Sequence, residues 1–158
     1  MKSDDVQGTW VLLDWVQDYD DGRRIYPFGE DAVGTIVYSG DRMSCIMSRS
    51  GRAPFAAGGQ WNADDADKAR AYGEMMAYAG GFSIEGNEVL HHVDLSLFPN
   101  WIGGVQRRRA ALNGDRLSLT ARLEEGTRDA RTARLEWRRH ILGDGESGGA
   151  VLRAAARE

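Results

Sequence analysis

Five polar side chains in one stretch of the chain could take part in chemistry: His91, His92, Asp94, Gln106 and Arg108. Imidazole is the side chain whose ordinary pKa lies nearest neutrality, so either histidine could move a proton. A guanidinium and a carboxamide could together hold the charge that develops on an enolate oxygen. The same groups could orient a bound acid or phenol without any reaction. These residue types therefore predict a site for a small oxygen-bearing molecule and leave catalysis open.

Alternation along the later strand of this stretch separates its side chains into two different faces. Gln106, Arg108 and Leu112 share one face, and Arg107 and Arg109 share the other. Leu112 favours the first face as the interior, and two arginines suit water. We therefore expect Gln106 and Arg108 inside. An inward Arg108 needs an acid, a ligand anion or several carbonyls, because a guanidinium keeps its charge.

The earlier strand has two possible orientations. His91, Val93 and Leu95 form its apolar face, and His92 and Asp94 form its polar face. Burial of Val93 and Leu95 favours His91 inside. The alternative places His92 and Asp94 inside as a hydrogen-bonded pair, and a bulge near His92 would select it.

Short strands separated by turn signals position these side chains. The predicted strands cover residues 10–16, 33–38, 43–48, 82–84, 88–97, 102–112, 116–123 and 132–141. Residues 64–79 change to helical spacing, since Ala69, Tyr72, Met75, Met76 and Ala79 recur every three or four positions. About eight to ten sequential antiparallel strands with one inserted helix predict an all-β closed barrel, with the helix across one opening. We expect this barrel domain over residues 6–142 and a flexible Gly/Ser- and Ala/Arg-rich tail over residues 143–158.

Four blocks of the sequence are similar to the motifs of one protein family. They are Gly8-Thr9-Trp10, residues 26–34 (YPFGEDAVG), residues 52–56 (RAPFA) and residues 91–103 (HHVDLSLFPNWIG). The first resembles the Gly-x-Trp that opens lipocalin barrels, and all four together resemble the bacterial and fungal lipocalin-like domain family. The resemblance extends over residues 7–140, with Gln106 and Arg108 where the family tends to have Gln and Arg. Gly104-Val105 departs from the Thr and acid that many relatives have there.

This resemblance implies a lipocalin-like barrel that binds a hydrophobic or aromatic small molecule. Some members of the family occur among natural-product biosynthetic proteins, which suggests secondary metabolism as a context. We expect the ligand to contact Tyr38, Cys45, Met47, Tyr72, Met76, Asp94, Trp101 and Gln106. Tyr72, Met75 and Met76 could form an adaptable lid. Cys45 is expected as a small buried hydrophobe, and Arg139 is expected to stack over Trp10 as a structural clamp.

Composition and motifs exclude several classes of function. A net charge of −4 argues against nucleic acid or an anionic membrane as the partner. The single cysteine and the absence of an apolar leader or span suit a cytoplasmic protein. We expect a monomer or a homodimer. Adjacent histidines in a strand point to opposite faces, so no metal site and no cofactor are expected. Phosphate-loop, dinucleotide and Gly-x-Ser-x-Gly motifs are also missing.

Two hypotheses follow for function. The first is binding of a hydrophobic or aromatic small molecule that carries a polar or anionic head. The alternative is a cofactor-independent isomerase, cyclase, lyase or dehydratase that acts on a natural-product-like carbonyl compound in the same cavity. In that case His91 or His92 is the acid–base residue and Arg108 holds the developing oxyanion. A third, weaker hypothesis is a structural module whose barrel is filled by its own side chains.

Overall fold

Nine strands and two short helices make up residues 1–141, which the computed structural model describes. The strands are β1 (Gly8–Tyr19), β2 (Arg24–Ile25), β3 (Val33–Ser39), β4 (Arg42–Ser48), β5 (Met75–Glu85), β6 (Glu88–Ser96), β7 (Val105–Asn113), β8 (Arg116–Leu123) and β9 (Arg131–Arg139). The helices are α1 (Ser3–Val6) and α2 (Asp65–Gly73), and Pro99–Trp101 forms a 3₁₀ turn. Within these residues, no helix is long and apolar enough to cross a membrane. The tail predicted over residues 143–158 lies outside the described residues.

Strand β1 closes the sheet into a barrel because it pairs with both β3 and β9. Trp10 lies opposite Ile36 on one side and Arg139 on the other. From β3 to β9 each strand pairs with the next along the chain, and β2 pairs only with the end of β1. Eight strands therefore form a closed antiparallel meander, and the predicted barrel is confirmed.

The predicted helix over residues 64–79 is wrong in its second half. Helix α2 begins after Asp64, whose side chain accepts a hydrogen bond from the backbone N–H of Ala66, and it ends at Gly73. Met75, Met76 and Ala79 lie on β5 instead, where Met76 pairs with Met47 of β4. Apolar residues three or four apart can belong to either element in a short segment. Pairing with β4 decides for the strand, because it supplies the ladder that joins β4 to the rest of the sheet.

A bulge in β6 decides which residues of that strand face inward. Ala79 pairs with Leu95 and Gly80 pairs with Val93, so Asp94 has no partner on β5. Val93 is buried, whereas Leu95 is 67% exposed. The prediction that Leu95 faces inward is therefore wrong, because one extra residue reverses the alternation beyond it.

Glycine at position 80 permits this bulge. A Cβ atom there would lie 1.8 Å from the carbonyl oxygen of His92 and 3.0 Å from the backbone nitrogen of Asp94. The two strands could not approach this closely with any other residue. Gly80 therefore fixes the register that turns His91 inward.

Trp10 closes one end of the barrel. Its indole N–H donates to the carbonyl oxygen of Val6 at 2.8 Å, and both residues are fully buried. The guanidinium of Arg139 lies 4.1 Å from the centre of the Trp10 ring and donates to the carbonyl oxygens of Gln7 and Asp5. The expected stacking of Arg139 on Trp10 is confirmed, and it joins β9 to the chain that precedes β1.

Candidate functional site

A cavity of about 470 Å³ lies inside the barrel. Its opening is at the end of the barrel where β4 connects to β5, since its lining includes Gln17 and Glu124 at the ends of β1 and β8. This volume falls in the range of roughly 300–1,000 Å³ that small-molecule sites occupy. The interior is therefore not filled by its own side chains, which argues against the hypothesis of a structural module.

Six residues predicted to contact a ligand or to act on it line this cavity. They are Cys45, Met47, Met76, Trp101, Gln106 and Arg108. They come from β4, β5, the 3₁₀ turn and β7, on one side of the barrel where β6 lies between β5 and β7. Alternation predicted the two residues of β7 correctly because the faces of that strand differ in chemistry.

Three predicted site residues lie away from the cavity. His92 is on the outer face, where its Nε2 lies 2.9 Å from the hydroxyl of Ser83. Asp94 is also outside and accepts from Arg42 at 2.6 Å. The inward alternative for this pair is therefore wrong, because the bulge comes only after Val93, and ordinary alternation with His91 and Val93 inside keeps both residues on the outer face. The third is Tyr72 on α2.

Helix α2 does not provide the predicted lid. It buries none of its residues, and the Tyr72 side chain is 49% exposed. No residue of α2 lines the cavity. Met76 does line it, but from β5, where strand alternation directs its side chain inward.

Arg108 is a charged group in the wall of the cavity, away from Glu124 and Arg131 at the opening. Its Nη2 donates to Oε1 of Gln106 at 3.2 Å, and its Nη1 donates to the carbonyl oxygen of Arg107 at 2.9 Å. We expected an acid or several carbonyls as its partners, and two neutral oxygens are found. In the part of the chain that the structure describes, Arg108 forms no ion pair with a carboxylate. Its positive charge is therefore available to a bound anion.

Aromatic rings form the wall of the cavity near its opening. The 3₁₀ turn at Pro99 brings Trp101 edge-on to Tyr78, with ring centres 5.6 Å apart and ring planes at 85°. Phe98 lies edge-on to Trp101, with centres 5.7 Å apart. Offset and edge-to-face contacts of this kind suit a flat aromatic guest. The Phe-Pro-Asn-Trp corner thus supplies part of the binding surface.

His91 is 1% exposed and lies behind the cavity wall. Its Nε2 is 2.8 Å from the hydroxyl of Tyr38, and its Nδ1 is 2.9 Å from the hydroxyl of Tyr78. Burial, reinforced by the positive charge of Arg108 and by His92, lowers the pKa of His91 to about 3. The imidazole is therefore neutral at physiological pH. The expectation that His91 faces inward is confirmed, and Tyr38 joins it in the wall instead of lining the cavity.

Tyr78 is the important lining residue that the sequence analysis missed. Its side chain is buried, lines the cavity and contacts both His91 and the thiol of Cys45. Burial raises the pKa of Tyr78 well above its ordinary value, and burial raises the pKa of Cys45 to about 12. Both groups are therefore protonated at neutral pH. The residue was missed because it fell within the predicted helix, where the strand alternation of β5 was not considered.

Trp137 has a buried donor in the wall of the cavity. The side chain is fully buried on β9 and lines the cavity opposite β4 and β5. Its indole Nε1 has no hydrogen-bond partner among residues 1–141. Because this nitrogen is itself buried, it is not open to a ligand atom in this arrangement of the side chains. No group of three or more His, Cys, Asp or Glu residues in the same described range could hold a metal ion.

Comparisons with known proteins support a barrel of this type. A family model described as "Lipocalin-like domain" matches residues 7–140. The chain is also 34% identical over 64 residues to the 4'-hydroxy-3'-methoxypropiophenone carrier protein ppsC of Aspergillus oryzae (strain ATCC 42149 / RIB 40). That similarity covers 35% of this chain and 58% of the relative.

Proposed function

Because the chain belongs to the lipocalin-like domain family, we propose that its cavity binds a hydrophobic or aromatic small molecule with a polar or anionic head. Arg108 and Gln106 contact the head in this proposal, and the aromatic wall contacts the body. The observation that carries it is a guanidinium directed into an apolar cavity without a carboxylate partner among residues 1–141.

Arg108 carries a charge that no carboxylate among residues 1–141 compensates. Removing a guanidinium from water is unfavourable unless anions or several acceptors replace the water. Arg108 has two neutral acceptors, so an anionic or strongly polarised ligand oxygen would stabilise it further. The apolar walls then contribute in proportion to the ligand surface that they bury. The relative from Aspergillus oryzae is named as a carrier of a hydroxylated aryl ketone, which has such a body and such an oxygen.

The enzymatic alternative requires a group that exchanges a proton with the substrate. A pKa of about 3 leaves His91 neutral, and Tyr78 separates it from the cavity. Cys45, with a pKa near 12, is a poor base. An isomerase, cyclase or dehydratase would therefore depend on a shaped, electropositive cavity alone. We propose binding in preference to this alternative.

Calorimetric titration with a hydroxylated and an unhydroxylated aryl ketone tests the proposal. We expect both 4'-hydroxypropiophenone and propiophenone to bind, the first more tightly. Arg108→Met should weaken binding of the hydroxylated ketone by about 10- to 100-fold, the range of a buried charged hydrogen bond. Arg107→Met is the control, because Arg107 pairs with Glu85 and Glu88 on the outer face. Failure of both ketones to bind, or equal losses in both variants, would contradict the proposal.

A further inference from the structure

We propose that Tyr38, His91 and Tyr78 form a one-way chain of hydrogen bonds that makes Tyr78 a donor to the ligand, so that the cavity takes an aromatic phenol in its ionised form. This inference rests on the proposed function and specifies its ligand class.

The direction of the chain depends on the single proton of the His91 imidazole. A neutral imidazole has one N–H donor and one acceptor nitrogen. His91 has a tyrosine hydroxyl at each nitrogen, Tyr38 at 2.8 Å and Tyr78 at 2.9 Å. One tyrosine must therefore donate to His91, and the other must accept from it.

The surroundings of Tyr38 decide between the two arrangements. Tyr38 is 1% exposed, and its hydroxyl has His91 as its partner in the described part of the chain. If Tyr38 accepted from Nε2–H, its own O–H would be a buried donor without an acceptor, which is destabilising. If Tyr38 donates to Nε2, no donor is left over at that end. The arrangement with the proton on Nδ1 of His91 is therefore favoured.

Tyr78 is the residue at the cavity end of this chain of hydrogen bonds. With the proton on Nδ1, His91 donates to the Tyr78 oxygen, and the Tyr78 O–H must point elsewhere. The thiol of Cys45 neighbours this hydroxyl and also lines the cavity. Sulfur is a weak acceptor, so a ligand oxygen can replace it.

Arg108 and Gln106 are further donors in the wall, while the carboxylate of Glu124 lies at the opening. A guanidinium has no acceptor atom of its own, so the Gln106 amide must turn its oxygen toward Arg108 and its NH₂ group away. Donors from Tyr78, Arg108 and Gln106 together favour an oxygen that only accepts, and a phenolate is such an oxygen.

Titratable and charged groups surround the expected position of the phenolate oxygen. They come from five neighbouring strands and from the opening of the cavity. They are Tyr38 on β3, Cys45 on β4, Tyr78 on β5, His91 on β6 and Arg108 on β7, with Glu124 and Arg131 at the opening. Burial raises the pKa of both tyrosines and of Cys45, and it lowers the pKa of His91 to about 3. The two tyrosines, Cys45 and His91 are therefore neutral and do not change charge near pH 7. An ionisation observed there in a complex therefore belongs to the ligand.

An absorbance titration with 4-nitrophenol measures this preference, because its phenolate absorbs visible light and its phenol does not. We expect the pKa of the bound probe to fall by about one unit or more, which is a tenfold preference for the anion. Tyr78→Phe should abolish most of this fall. Tyr38→Phe should retain most of it, because a proton on Nε2 would then be a buried donor without an acceptor, so His91 keeps its proton on Nδ1. Tyr72→Phe, on the exposed face of α2, should leave it unchanged.

Nitrogen NMR of the unliganded protein provides a second readout that needs no ligand. Long-range ¹H–¹⁵N correlation should show the proton of His91 on Nδ1 in the parent protein and in Tyr38→Phe. A proton on Nε2 in the parent protein would overturn the inference. So would tighter binding of the neutral ketone than of 4-nitrophenolate, or binding without a change in the pKa of the probe. Failure of both the ketones and 4-nitrophenol to bind would instead reject the proposed function.

Discussion

Nδ1 of His91 lies 2.9 Å from the hydroxyl of Tyr78, so the tyrosine stands between the histidine and the cavity. A histidine in this position controls the direction of a neighbour's O–H and does not touch the ligand itself. The most reactive residue type in the sequence is thus a positioning residue in our proposal, and a residue that titrates far from neutrality makes the contact.

The pH dependence of stability should report the buried state of His91. Its pKa is about 3 in the folded protein, against an ordinary value of 6.5, so between these values the unfolded chain binds the extra proton. Stability contributed by His91 is therefore present above pH 6.5 and is lost as the pH falls toward 3, by a few kcal/mol in total.

Urea unfolding across this pH range measures the effect. His91→Gln should flatten the part of the profile below pH 6.5 relative to the parent protein. His92→Gln is the control, since His92 is exposed, and it should retain the parent slope. Some carboxylates, such as Asp18 and Asp20, have a pKa lowered by arginines, and their protonation in acid destabilises all three proteins. The difference between variants is therefore the quantity to compare, and parallel profiles for His91→Gln and the parent would contradict the burial of a neutral imidazole.

Gly80→Ala should destabilise the barrel by about 3 kcal/mol or more, because its Cβ would lie 1.8 Å from the carbonyl oxygen of His92. The obstacle is backbone, so no side-chain movement relieves it. Gly73→Ala is a matched control: a Cβ there meets nothing within 4 Å. Its free energy of unfolding, from urea titration, should be unchanged or higher. Similar losses in the two variants would show that the bulge is not fixed at Gly80.

This bulge also marks the limit of what alternation could predict. The two faces of β7 differ in chemistry, so Gln106 and Arg108 were placed inside from sequence. On β6 the same reasoning placed His91 correctly and failed at Leu95. The reason is that the inserted residue is defined by pairing with Gly80 on another strand, and a single strand carries no sign of it.

The helix shows a second limit. Residues 64–79 have apolar spacing that suits a helix, and the cap at Asp64 is real. Tertiary pairing with β4 nevertheless converts the segment from Met75 onward into strand. That error removed Tyr78 from the predicted site, since it fell within the supposed helix. Strand number, order and closure were predictable because turns and alternation are local features.

Arg108→Met should leave the unliganded barrel as stable as the parent protein, or more stable by about 1 kcal/mol. A partly buried charge without a carboxylate partner among residues 1–141 is replaced by an apolar side chain of similar length. Chemical denaturation without ligand measures this, and the control is Arg107→Met, whose exposed ion pairs contribute at most about 1 kcal/mol. A large loss of stability in Arg108→Met would mean that Arg108 is structural and not reserved for a ligand.

Trp101→Ala should weaken ligand binding by about tenfold, mainly through faster dissociation. Trp101 lines the cavity at the Phe-Pro-Asn-Trp corner and packs edge-on against Tyr78 at 5.6 Å, so its removal takes away aromatic contact and opens the wall. Trp61→Ala is a control of the same residue type, because Trp61 is 83% exposed and lies outside the cavity lining. Stopped-flow fluorescence with 4'-hydroxypropiophenone gives both rate constants. Equal dissociation rates in the two variants would place the ligand away from the corner and deeper among Arg108, Tyr78 and Trp137.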